Sequence, residues 1–151
     1  MIVCMKRYLQ AFTLFVSGIV LMFLHFEVLL RFEFPDVPWR LFVYGALLEE
    51  SLKFVFALIT LRLGAIPLTI AFIGLGYGFG EQLTHFWFPN GTASLITPWM
   101  HAIAGVAMAV MFDRAVRLKS KRYYAFALII PLLIHAFYNQ FLAILLWWYT
   151  T

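Results

Sequence analysis

Apolar residues fill five long runs, 8–30, 41–61, 65–88, 99–116 and 123–148, each bounded by charge or by proline and glycine. A helix crossing ~30 Å of hydrocarbon needs roughly 20 residues at about 1.5 Å each, so every run is close to one span. The first run opens on Lys6 and Arg7 like a signal peptide, but its apolar core is too long and no small-x-small cleavage site follows. It is therefore kept as a span. The pattern predicts an all-α integral membrane protein, one domain over 1–151 built as a single bundle of about five transmembrane helices.

Composition excludes the soluble alternative. Of 151 residues 64% are hydrophobic and 12% charged, against about a quarter charged in soluble globular domains. There is room for one bundle and none for a soluble domain. The single cysteine, Cys4, excludes an internal disulfide and any zinc site built on cysteines. Eleven Lys and Arg against seven Asp and Glu would suggest a nucleic-acid partner in a soluble chain; here topology uses the excess, and the expected surroundings are the lipid bilayer, with no nucleic acid. Lys6, Arg7, Arg62, Arg114, Arg117, Lys119, Lys121 and Arg122 fall at one membrane face, and Arg31 and Arg40 at the other. Basic residues beside spans tend to stay in the cytoplasm, which predicts a cytoplasmic N-terminus and an outer C-terminus with Trp147, Trp148 and Tyr149 as an interfacial belt. The "NGT" at Asn90 fits an outer loop but is too short a match to carry weight.

Ionisable groups at bilayer depth cost a few kcal/mol each and usually face a bundle interior or a wet cavity. They are Glu49, Glu50 and Lys53 in the second run, Glu81 and His85 in the third, His101 in the fourth, and His135 in the fifth, where Asn139 follows one turn on. Lys53 can reach either glutamate, at i+4 from Glu49 and i+3 from Glu50. One pair would make an ordinary buried salt bridge. Three glutamates against one lysine leave two negative charges, to be relieved by carboxyl protonation, by histidinium or by a metal ion. Gly74 with Gly78 and Gly76 with Gly80 form two small-xxx-small faces that admit close helix approach and lead into Glu81. Counting along the spans puts all these groups in the outer half of the membrane, so they are expected to converge on one cavity there. His25 and Glu27 are expected as a rim pair or a packing feature. Adjacent helical residues are ~100° apart, so Glu49 and Glu50 should differ in role.

No H-E-x-x-H helix, G-x-S-x-G elbow or intraspan aspartate is present. What remains is a glutamate and histidine site, in which a carboxylate accepts a proton from water while imidazoles position the water, polarise a carbonyl or bind a metal, chemistry that suits amide hydrolysis. "EESLK" from Glu49 resembles the E-E-x-x-K motif of the PrsW family of intramembrane proteases, "GYGFGE" ending at Glu81 resembles its second motif, and "HAIAG" at His101 and "HAFYN" at His135 resemble its histidine motifs. The wider superfamily of CAAX prenyl-proteases and bacteriocin-processing enzymes is similar at Glu49–Glu50 and at His135 with Asn139. Lys53 favours PrsW, because the CAAX arginine comes one residue later; Phe79-x-x-x-Leu83 fails the CAAX second motif, PrsW places no His85, and the chain lacks the extra spans of PrsW proteins.

The resemblance implies an endopeptidase of a prokaryotic cell membrane acting on a membrane-anchored protein substrate near the outer face. Glu49, Glu50, Glu81, His101 and His135 would be catalytic, with Lys53, His85 and Asn139 supporting them. No cofactor is certain; a divalent metal such as zinc would sit on Glu81, His101 and His135. Two other classes stay open: a proton- or cation-coupled carrier or channel subunit, in which the same groups relay ions, and an inactive scaffold that keeps only the glycine faces. Five helices make no inverted repeat, and no run shows the proline-broken pattern of a midplane transport site.

Overall fold

The computed structural model describes residues 2–31, 38–87 and 96–150, with side chains over 5–25, 45–84, 96–142, 144 and 148. The described chain is helical, with no strand. It contains α1 (Ile2–Arg31), α2 (Pro38–Arg62), a 3-10 turn at Pro67–Ile70, α3 (Ala71–Trp87), α4 (Thr97–Leu118) and α5 (Lys121–Thr150). Three helices are long and apolar enough to cross a membrane, over Met5–His25, Thr97–Leu118 and Lys121–Leu142. That is fewer than the five predicted spans. The second run carries Glu49, Glu50 and Lys53 near its middle, which lowers its hydropathy. The third run, expected as one helix over 65–88, is split. Gly64, at a positive φ of 88°, ends α2; the Gly64 amide donates to Leu61 and the Ala65 amide to Thr60, the paired bonds of a Schellman stop. Pro67 then starts the 3-10 turn, leaving α3 with 17 residues, roughly 25 Å.

The expected glycine faces are both in use. α3 lies between α1 and α4, while α5 packs on α4 and α2. Gly76 and Gly80 meet the α1 backbone around Phe15 and Ile19, and Gly74 and Gly78 meet α4 at Gly105, Pro98 and His101. Here the absent Cβ matters: one built on Gly78 would stand 2.7 Å from Pro98 Cα and 3.0 Å from His101 Cβ. The core below this crossing contains Leu14, Ile70, Ile73, Tyr77, Met108 and Phe112, while Val55, Ile59, Ile103, Leu133 and Phe137 lie exposed on the outside. Pro131 sits buried inside α5, one turn before His135, and the helix runs on through it. No break in the helix is present there.

Gly78→Ala is expected to force α3 and α4 apart and lower the unfolding midpoint in detergent, a loss of about 1–3 kcal/mol. Gly45→Ala, where an added Cβ meets nothing within 4 Å, should leave the midpoint unchanged or slightly raised. Equal midpoints for the two variants would show that the crossing tolerates more space than its geometry implies.

A buried glutamate and histidine cluster

α2 puts Glu49, Glu50 and Lys53 on its inner side, and the α3–α4 crossing brings Glu81 and His101 together. α5 supplies His135. All five residues proposed as catalytic therefore meet in one cluster, together with Lys53. Glu50, Lys53, His101 and His135 are 1%, 2%, 0% and 3% exposed; Glu49 and Glu81 retain 16% and 26%. The glutamates that begin the motif are unlike each other. Glu50 Oε1 accepts from Lys53 Nζ at 2.5 Å and from His135 Nδ1 at 2.9 Å. Glu49 Oε2 is buried without a hydrogen-bond partner, 3.8 Å from His101 Nε2 and 3.9 Å from His135 Nε2.

The donor inventory sets the imidazole tautomers. An ammonium only donates and a carboxylate only accepts. Lys53 Nζ lies 3.0 Å from His101 Nδ1, so that nitrogen accepts and His101 Nε2 carries the hydrogen it donates to Glu81 Oε2 at 2.7 Å. His135 donates from Nδ1 to Glu50, which in the neutral ring leaves the Nε2 lone pair aimed at Glu49. The two rings stand edge to face, 4.9 Å between centroids. Glu49 Oε2 and His135 Nε2 are thus two acceptors facing each other across a gap too wide for a direct bond.

Two neighbours were not predicted as part of this cluster. The Tyr77 ring lies under Lys53 Nζ, 4.6 Å to its centroid, and 5.1 Å from the His101 ring. Its hydroxyl shares a hydrogen bond with His25 Nδ1. His25, expected at the rim or in packing, is buried and joins the cluster through Tyr77; the side chain of Glu27 lies outside the described residues. The spacing Tyr77–Glu81, i to i+4, was the available signal, since it sets both on one face of α3. The side chain of His85 and the sequon at Asn90 also lie outside the described residues. Asn139, half-buried, follows His135 by one turn.

The donor set bears on the predicted metal. One ligand atom each of Glu49, His101 and His135 lies within 4.8 Å of the others, an arrangement that could hold a metal ion. Glu49 takes the place expected for Glu81, which is held on His101. The orphaned Glu49 oxygen and the nearby His135 Nε2 fit a cation; His101 would have to surrender its Nε2 hydrogen, so binding would release a proton. Comparison with protein-family models, with curated proteins and with solved structures finds no match for this chain.

Glu50→Ala should strand both the Lys53 charge and the His135 donor, a destabilisation on the order of 3 kcal/mol. Glu50→Ala combined with Lys53→Met should recover most of it, because the unpaired cation goes too. Thermal unfolding of the single and double variants in detergent measures this; a double variant as unstable as the single one would mean that Lys53 is not what Glu50 neutralises.

Proposed function

We propose that this chain is a PrsW-like intramembrane endopeptidase that hydrolyses a peptide bond of a membrane-anchored protein with its glutamate and histidine cluster. The observation that carries the reading is the pair of acceptors, Glu49 Oε2 and His135 Nε2, buried 3.9 Å apart. A water between them would donate one hydrogen to each, leaving its lone pairs for attack. In this mechanism Glu49 takes the proton of that water as its oxygen bonds to the scissile carbonyl carbon, and returns it to the amide nitrogen as the C–N bond breaks. His135, held by Glu50, aims the water. The N–H of His101, held by Glu81 in the resting cluster, would donate to the carbonyl oxygen as charge grows on it once the substrate takes the place of the Glu81 carboxylate. Glu81, the most exposed member, marks the side from which a substrate would approach. A divalent metal held by Glu49, His101 and His135 would instead supply Lewis acidity, in place of the His101 N–H that the ring would give up to bind it.

The reading carries five spans, because α2 and α3 must also lie in the membrane to bring the cluster there. α2 turns its charges inward and Leu47, Val55 and Ile59 outward, as a helix against lipid does. The 3-10 turn adds about 8 Å to the rise of α3, for a total of roughly 33 Å. With an odd number of spans and the basic end in the cytoplasm, reporter fusions at the two termini should report opposite sides, the N-terminus inside. Both on one side would rule out five spans.

Glu49→Gln keeps shape and removes the base, so cleavage of a co-expressed membrane-anchored substrate should fall by about two orders of magnitude or more, with folded yield and unfolding midpoint unchanged. A purified Glu49→Gln variant that cleaves at the parental rate would end the protease reading and leave the carrier or the scaffold in its place.

A further inference from the structure

A second feature stands at the other end of the bundle, where α2 ends and α4 turns into α5. Lys119, in the left-handed region at φ 49°, reverses the chain within two residues, so the start of α5 lies beside the end of α2. Between them is a cavity of about 530 Å³ whose walls include Phe54, Leu58, Leu61 and Tyr124 and whose lining also includes the cations Arg62 and Lys121. Its volume is in the range of small-ligand sites, roughly 300–1,000 Å³.

The charges at this cavity are unbalanced. Arg117 at the same end is paired with Asp113, but Arg62 and Lys121 have no ion-pair partner among the described residues. α5 starts with Lys121 and Arg122 and has no acidic residue in its first turn, so cations stand at the positive end of its dipole, where an anion is favoured. Apolar walls beside an uncompensated cationic site match an amphiphile with an anionic head and a hydrocarbon tail.

We propose that this cavity is a binding site for an anionic phospholipid of the adjoining leaflet, its phosphate between Arg62 and Lys121 and an acyl chain along Phe54, Leu58 and Leu61. The lipid supplies the counter-charge that the chain lacks and fills the gap between α2 and the α4–α5 corner. Nothing in the proposal depends on proteolysis.

The test is native mass spectrometry of the full chain in detergent micelles titrated with phosphatidylglycerol or phosphatidylcholine. The parental protein should retain phosphatidylglycerol in preference to phosphatidylcholine, and Arg62→Gln with Lys121→Gln should lower that retention by about 30-fold, the effect of two cations near an anionic lipid. Leu58→Trp, which fills the apolar part and keeps both charges, should lower it as well; circular dichroism checks that each variant is folded. Equal retention of the two lipids by the parental protein, or undiminished phosphatidylglycerol binding by the folded double variant, would overturn the proposal.

Discussion

An ammonium group withdrawn from water is the constraint around which this bundle is arranged. Lys53 can be held inside only if carboxylates and acceptors surround it, and it finds Glu50 on its own helix and His101 on α4. Those partners are then committed. Glu50 gives its remaining capacity to His135, and His101, with one nitrogen accepting, has to donate from the other to Glu81. One buried cation thereby fixes the orientation of groups on four helices. Coulomb attraction in a low dielectric is offset by desolvation, so the cluster is better understood as specifying an arrangement than as a net source of stability.

Such a network needs helices whose backbones come close and stay in register. α3 supplies this by removing side chains from two opposite faces, one for α1 and one for α4. His101 itself is part of the second contact, its Cβ against Gly78. The packing that carries the bundle and the geometry that carries the cluster are therefore one device at this point, and a methyl group there would disturb both.

Much of this was legible in the sequence because charge in an apolar run has few destinations. Glu49, Glu50, Lys53, Glu81, His101 and His135 stand out as exceptions to their surroundings, and the inside of a bundle is where such exceptions can meet. The small-residue faces were legible by spacing alone. Other features were not. Apolarity marks 65–88 as one run, yet Pro67 makes its start a 3-10 turn ahead of α3, through backbone geometry that hydropathy does not register. Tyr77 and His25 look like interfacial or packing residues, and only the approach of α1 to α3 makes them neighbours of the cluster. The expected metal set named Glu81 because it ends a motif; the side chains give that place to Glu49, since His101 holds Glu81.

The difference between the two adjacent glutamates follows from the same allocation. About 100° of helix rotation separates them, and the one turned toward Lys53 and His135 accepts from both through Oε1. The other is left with an oxygen that nothing in the described structure satisfies. A buried acceptor without a partner is costly in a protein interior, and native structures keep few of them. Glu49 also retains more exposure than Glu50, although the orphaned oxygen itself is buried. A fully paired cluster would be structural and complete. This one leaves two buried atoms without a partner, Glu49 Oε2 and, at its edge, His25 Nε2, and the gap between Glu49 and His135 is of a size that a hydrogen-bond donor to both sides or a cation would fill.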